Sequence, residues 1–340
     1  MVLVGGVGNA LVVMLVSGSS AMHSTINILL ATLAFCDTLA VVVLLPLDMM
    51  SLLGRGWLLP APLCHAHAAL MNVIQVEGMT VLALIFVDRY IIIVHHQDRL
   101  TPVITCWVIG VSWVVSVCVA TPPLLGVGGY SSLPLPPGLT HCLWEPAIPR
   151  PDGQIIYTFV RFSMMGLLPL FVMIFCFVSI LGKMRNNSAK VTTSDCEGGL
   201  TYIDLMEVAR ESEKALTPPS SPRRPLVIVN LSYKTRTFTT IMILFLVFVM
   251  CRTPLHLMQL VHSFTSTGQV YYDAFPWLLW WAYLQPAVNP VIYTVRIHKF
   301  RNELLETFPW LLHLTPGRNG DFLRRSDPST IYMIQQPSSS

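Results

Sequence analysis

Residues 245–261 read FLVFVMCRTPLHLMQLV, an apolar stretch with a single arginine, Arg252, near its middle. The stretch belongs to an apolar run over residues 238–263, and a run of that length can cross a bilayer, because a spanning helix needs about 20 residues. A fixed charge at the centre of a membrane costs about 2.5–3.5 kcal/mol on insertion scales. Arg252 therefore indicates a helix that turns one face away from lipid, towards a polar interior.

The composition of the whole chain is that of a membrane protein. Hydrophobic residues make up 53% of the 340 residues and charged residues 11%, with a mean hydropathy of +0.61, whereas a soluble domain carries roughly 25% charged residues. The first of the apolar windows is too short to cross a bilayer, and we expect a truncated first helix there. Seven windows predict seven membrane-spanning helices, at residues 1–16, 25–52, 64–94, 103–126, 155–183, 238–263 and 272–295.

Lysine and arginine residues are concentrated on one side of these windows. Of the 21 lysine and arginine residues, 17 lie near or after the end of the third window, between the fifth window and the sixth, or in the tail. Positively charged segments stay in the cytoplasm. We therefore expect a multi-pass protein of the cell membrane, with its N-terminus outside and its C-terminus in the cytoplasm.

This topology divides the chain into three parts. The predicted bundle covers residues 1–296 and contains a long cytoplasmic loop over 184–237. Residues 297–310 combine charged and apolar side chains at helical spacing, which predicts a short amphipathic helix on the membrane surface. Residues 311–340 form a polar cytoplasmic tail.

Short motifs occur in all seven windows, in one order along the chain. They are Gly8–Asn9, Asp37 in LATLAFCD, Cys64 and the Asp88–Arg89–Tyr90 triplet, Trp113, Pro169, Pro254, and the NPVIY of residues 289–293. In this order and at these positions the motifs resemble a rhodopsin-like G protein-coupled receptor over nearly the whole chain. The stretches STINILLATLAFCD, VDRYIIIVHHQDRLTP, LSYKTRTFTTIMILF and PSTIYM resemble an orphan receptor subgroup placed near the lysophospholipid receptors.

The resemblance implies an all-α membrane protein, a seven-transmembrane helix bundle with a short amphipathic cytoplasmic helix. It also implies a protein that passes an extracellular or membrane-lipid signal to heterotrimeric G proteins, with arrestin and a receptor dimer as further partners. Cys64 and Cys142 share the oxidising outer side and are the predicted disulfide pair. The activation switch is expected at Asp88, Arg89, Tyr90, Lys234, Asn289, Pro290 and Tyr293.

A central polar site is expected at Asp37, Asn289 and Arg252. The family's counterpart of Asp37 often binds sodium, and arginine stands where the family usually has tryptophan, in the stretch CRTP. We hypothesise that Arg252 pairs with Asp37, directly or through water, in place of sodium, because two charges about 4 Å apart attract by about 4 kcal/mol at a dielectric constant near 20. Glu77 is a second candidate partner. The alternative is a receptor that has lost its switch.

A ligand pocket is expected between the outer halves of the helices. Helix three has Met71 where amine receptors carry an aspartate, so an amine ligand is not expected. Arg161, Arg252 and His256 predict a cationic cavity suited to an anionic ligand such as a lipid phosphate; the alternative for Arg161 is a side chain that reaches out to the membrane interface. The predicted pocket residues are Met71, Gln75, Arg161, Arg252, His256 and Tyr283.

Two further departures from the family pattern bear on signalling without ligand. Lys234 stands where some relatives carry an acid, and a lysine would repel Arg89. That repulsion would loosen the resting state. Phe177 replaces a tyrosine and lacks a hydroxyl contact toward Tyr293, which would weaken the active state. We predict raised ligand-free signalling.

Other classes of protein fit the chain less well. The acids of the windows show no catalytic spacing, and we expect no enzyme activity, no cofactor and no nucleic acid partner. A transporter lacks support because no internal repeat is evident, and a retinal pump would need a lysine in residues 272–295, which contain none. A receptor-like protein that acts by dimerising, without signalling, is the remaining alternative.

Overall fold

The computed structural model of the chain describes residues 1–54, 56–97, 99–127, 129–135, 139–145, 152–198, 231–264 and 268–309. These residues form a bundle of helical segments, here called helices one to seven in chain order. A short surface helix follows helix seven, and a β-hairpin separates helix four from helix five.

The first four helices begin and end close to the predicted windows. Helix one joins a π-helical turn, Val2–Val7, to Gly8–Gly18, and a short 3₁₀ turn at Ser20–Met22 follows it. Helix two consists of Thr25–Leu39, a π-helical turn over Ala40–Leu44, and Leu45–Leu53. Helix three is Ala61–Val94, and helix four is Pro102–Ala120 with a 3₁₀ turn at Pro122–Leu125.

The remaining helices complete the bundle. Helix five consists of Asp152–Phe162, a π-helical turn over Ser163–Leu167, and Leu168–Gly198, and helix six is Leu231–Phe264. Helix seven is interrupted at Tyr283 and consists of Gly268–Ala282 and Leu284–Arg296; the surface helix is His298–Thr307.

The predicted seven-helix membrane bundle is confirmed. Within the described residues, five helical segments are long and apolar enough to cross a bilayer, and Val2–Gly18 is a shorter apolar helix; the five are Thr25–Ser51, Ala61–Val94, Pro102–Leu125, Gln154–Asn186 and Thr239–Phe264. The prediction of a loop over 184–237 is wrong at both ends, since helix five continues to Gly198 and helix six begins at Leu231. Residues 199–230 and the predicted tail, 311–340, lie outside the described residues.

Prolines explain the π-helical turns of helices two and five. A proline lacks the backbone N–H and clashes with the carbonyl group of the residue four positions earlier. The π-helical turns of helices two and five lie just ahead of Pro46 and Pro169, where a wider turn relieves that clash. Pro254 lies inside helix six and Pro290 inside helix seven. The two π-helical turns therefore follow from the sequence.

The β-hairpin is an element that the apolar windows do not predict. Its strands β1, Gly129–Leu135, and β2, Leu139–Glu145, run antiparallel with Ser132 opposite Cys142. Cys142 forms the predicted disulfide with Cys64 at the start of helix three. The hairpin is thereby attached to the end of the bundle at which helix three begins.

Candidate functional site

The end of helix three carries the predicted activation triplet. Arg89 Nε donates a hydrogen bond to Asp88 Oδ2 at 2.8 Å, so the arginine folds back on its neighbour. The hydroxyl of Tyr90 lies 3.1 Å from His95 Nε2. Arg89 held by Asp88 is the arrangement expected of the resting state. Lys234, the helix six residue predicted for this switch, lies in helix six, and its side chain is outside the described part of the chain.

Helix seven contacts helices one and two through amide side chains. Asn289 Nδ2 donates to Asp37 Oδ2 at 2.7 Å. Asn9 Nδ2 donates to the carbonyl oxygen of Pro286 at 2.7 Å, the oxygen that lacks a helical donor because Pro290 follows four residues later. The motif residues of three helices are therefore joined by direct hydrogen bonds.

Tyr293 lies below this junction and is fully buried. Its ring stacks on Phe300 of the surface helix, with 6.1 Å between centroids. Phe300 is thus packed into the bundle, whereas the sequence pattern indicates a face in contact with lipid. Among the described residues, the Tyr293 hydroxyl has no hydrogen-bond partner.

Arg252 points into the interior of the bundle. Its Nε donates to Gln285 Oε1 of helix seven at 2.8 Å. Arg252 and Asp37 line one small cavity, of about 20 Å³, which is room for about one water molecule. Among the described residues no ion pair within 4.0 Å joins them, so the direct form of the predicted pair is not seen.

Glu77 has partners other than Arg252. Its two carboxyl oxygens accept hydrogen bonds from Ser112 Oγ at 2.8 Å and Ser116 Oγ at 3.0 Å, both on helix four. In the described part of the chain the carboxyl group is fully buried between helices three and four. The acid therefore holds a helix–helix contact, which corrects the expectation that it could serve Arg252.

The predicted pocket residues divide into two groups. Met71, Gln75, Arg252 and Tyr283 line a second cavity, of about 10 Å³, and His256 lines the first cavity together with Gln75 and Arg252. Neither cavity has room for a ligand larger than water. Among the described residues, these two cavities are closed to a larger ligand.

Arg161 forms the second group, nearer the hairpin. Its side chain is buried, with 6% exposure, and its Nε donates to Asn72 Oδ1 of helix three at 3.0 Å. Asn72 in turn donates to the hydroxyl of Tyr130 on β1 at 3.1 Å. Arg161 thus turns into the bundle, and it does not reach out to the membrane interface.

A third polar group, which was not predicted, lies at the end of the bundle at which helix three begins. Asp48 Oδ2 accepts a hydrogen bond from Tyr283 Oη at 2.5 Å, and Asp48 Oδ1 lies 2.9 Å from His67 Nε2. These contacts join helices two, three and seven at the interruption of helix seven. One sign of this group was present in the sequence. His67 follows Cys64 by nearly one helical turn, so the two side chains lie on the same side of helix three.

The sequence also matches a known receptor family. The sequence profile described as "7 transmembrane receptor (rhodopsin family)" matches residues 8–293. The chain belongs to this receptor family. It is therefore a G protein-coupled receptor and not an enzyme, as the motif order predicts.

Named relatives and a solved structure agree with that assignment. The receptor is 32% identical to the "High-affinity lysophosphatidic acid receptor" of Xenopus laevis over 336 residues, which cover 98% of this chain and 86% of that protein. It is 32% identical to the human "Probable G-protein coupled receptor 63" over 332 residues, covering 96% and 75% of the two chains. The crystal structure of squid rhodopsin has the same fold, with a TM-score of 0.74, 20% identity, and coverage of 97% and 88%.

Proposed function

We propose that the receptor detects an anionic lipid from the outer side of the membrane and activates heterotrimeric G proteins in the cytoplasm. The observation that carries the proposal is the pair of arginines inside the bundle, Arg161 bonded to Asn72 and Arg252 bonded to Gln285. Guanidinium groups held inside a protein bind phosphate and carboxylate through paired hydrogen bonds. The lysophosphatidic acid named for the Xenopus relative is a lipid of this chemistry.

The closed cavities define how such a ligand would act. The cavities beside Arg252 hold about 20 and 10 Å³, so a lipid head group can enter only if the helices separate. A ligand that binds the separated arrangement better than the closed one shifts the population toward it. The ligand would thereby favour a conformation in which Arg89 leaves Asp88 and meets the G protein.

The lipid proposal is tested by ligand-stimulated G protein activation in cells. The probe is oleoyl lysophosphatidic acid, with monooleoylglycerol as the uncharged control lipid. Arg161→Gln is expected to lower the response at least about tenfold, because one charged hydrogen-bonding pair contributes about 1.5–3 kcal/mol, while Arg161→Lys keeps the charge and part of the response. Equal responses to both lipids, or an unchanged Arg161→Gln response, would contradict the proposal.

We further propose that the N-terminus lies outside and the C-terminus in the cytoplasm. The positive segments support this orientation, as does the Cys64–Cys142 disulfide, which needs an oxidising compartment. Antibody access to a tag at each end, measured before and after permeabilising cells, tests it. Access to a C-terminal tag on intact cells would refute the orientation.

Arg252 is proposed to occupy the role that sodium has in the family. Support comes from the shared cavity, which brings Arg252 and Asp37 together around room for a bridging water. Ligand-free signalling of the natural receptor should therefore be the same in sodium and in N-methylglucamine buffers. Arg252→Trp should gain sodium dependence, and an Arg252→Trp receptor that stays insensitive would count against the idea.

The last part of the proposal is that the receptor activates G proteins without ligand. Support comes from Lys234, which adds positive charge to helix six where some relatives carry an acid. Expression of the receptor alone should raise G protein activation above that of empty cells, and Arg89→Ala should abolish the increase. Signal equal to empty cells would favour a receptor that acts by dimerising, and arrestin recruitment in the same cells would show a further partner.

A further inference from the structure

Helix six has a carbonyl group that its own backbone cannot satisfy. In an α-helix each carbonyl oxygen accepts from the N–H four residues later. The residue four positions after Met250 is Pro254, which has no N–H. Met250 is 62% exposed, on a surface that lipid covers, where no water replaces the missing donor.

A tryptophan of helix seven supplies the donor instead. Trp281 Nε1 donates to the carbonyl oxygen of Met250 at 2.8 Å, and an indole N–H can only donate. Inside the bundle, Arg252 of helix six donates a hydrogen bond to Gln285 of helix seven at 2.8 Å. The proline region of helix six is therefore joined to helix seven on its lipid side and on its inner side.

The second proline bend of the bundle repeats the arrangement. Pro290 leaves the carbonyl group of Pro286 without a helical donor, and Asn9 of helix one donates to it at 2.7 Å. In both helices a side chain of a neighbouring helix bonds the oxygen that the proline has freed. Such a bond restrains the bend, because it links the residue before the proline to another helix.

We propose that Trp281 is a positioning residue that holds helix six in the resting conformation and so sets the level of ligand-free signalling. The proposal rests on the proposed signalling function, and it adds a movement of the segment of helix six before Pro254 relative to helix seven. Met250 belongs to that segment and Trp281 to the helix that it leaves.

The geometry makes bending and the hydrogen bond incompatible. Four residues of helix place Met250 about 6 Å from Pro254 along the axis. A further bend of about 20° about the proline, directed away from helix seven, displaces Met250 by about 2 Å and carries the 2.8 Å contact well beyond the roughly 3.2 Å limit of a hydrogen bond. Loss of one such bond changes a two-state ratio about fivefold.

The test compares variants in two backgrounds, the natural sequence and Pro254→Ala, by G protein activation without ligand, normalised to receptor at the cell surface. Trp281→Phe keeps an aromatic ring and removes the N–H, and it should raise activation about fivefold. Trp277→Phe is the matched control: Trp277 is 77% exposed on the same helix and should leave activation unchanged. In Pro254→Ala the new backbone N–H can serve Met250, so adding Trp281→Phe should change activation less than about twofold.

In a receptor that activates G protein, three results would overturn the proposal. They are activation by Trp281→Phe that equals Trp277→Phe, activation that falls, and an increase of the same size in the Pro254→Ala background. A spin-label distance between Thr239 on helix six and Lys299 on the surface helix, measured in purified receptor, should broaden in Trp281→Phe alone. That distance needs no G protein, so a broadened distance without any G protein activation would refute the signalling function and leave the role of Trp281 intact.

Discussion

Replacement of Gln285 by leucine tests how the buried arginine is held. Gln285 is 3% exposed and accepts a hydrogen bond from Arg252 Nε at 2.8 Å. Leucine fills a similar volume and accepts nothing, so the guanidinium loses a charged hydrogen bond worth about 1.5–3 kcal/mol. With a shift of about 2–4 °C per kcal/mol, the midpoint of thermal unfolding should fall by about 3–12 °C.

The assay uses a dye that becomes fluorescent on reacting with thiols, in receptor purified in detergent micelles. Cys251 and Cys176 are buried and react only as the bundle opens, so dye uptake against temperature reports unfolding. Gln285→Glu, which offers Arg252 a carboxylate, is the polar control and should retain the natural midpoint or raise it.

A double variant isolates the interaction itself. Arg252→Met combined with Gln285→Leu removes the buried charge together with its acceptor, and such apolar replacements are often neutral. The double variant should therefore unfold at a higher temperature than Gln285→Leu alone. The reasoning is refuted if Gln285→Leu melts like the natural receptor, or if the double variant loses the sum of the two single losses.

Three further predictions concern other buried contacts. Glu77→Gln should keep the contacts to helix four and unfold like the natural receptor, whereas Glu77→Ala should lose about 2–4 kcal/mol through the cavity it leaves; equal losses would mean that the charge itself is required. Asn9→Ala should leave the freed carbonyl of Pro286 without its donor and lower the yield of folded receptor, which size-exclusion chromatography measures. Asn9→Asp should be an inadequate substitute, because an ionised carboxylate cannot donate a hydrogen bond. Cys142→Ser opens a link that spans 78 residues and should cost about 3–4 kcal/mol, measured as reduced surface expression; expression at the natural level would contradict a stabilising role.

The fold could largely be predicted from the sequence. The window 25–52 corresponds to Thr25–Ser51 and the window 238–263 to Thr239–Phe264, because each run of apolar residues in lipid must satisfy its own backbone as a helix. The ends of the long loop could not be predicted in this way. Beyond Asn186 helix five continues in polar sequence to Gly198, where no apolar pattern indicates where a helix stops.

The residues of the candidate site could be predicted from the sequence, but most of their hydrogen-bond partners could not. Asp37 bonds to Asn289 and shares a cavity with Arg252 in the core. These residues could be predicted because they stand at motif positions of the family. The acceptor of Arg252 is Gln285 and the donors to Glu77 are serines of helix four. A glutamine or serine in an apolar helix carries no sign of which neighbour it will face, so these partners were missed.

The sequence by itself determined seven membrane spans, their bends and the presence of charges that had to face inward. Helix formation in lipid is a local matter, decided by apolar length and by prolines that remove particular hydrogen bonds. Only the tertiary structure decided that Trp281 meets Met250 and that Arg161 meets Asn72. Such partners depend on how each helix is rotated and tilted against its neighbours, which is a property of the packed bundle as a whole.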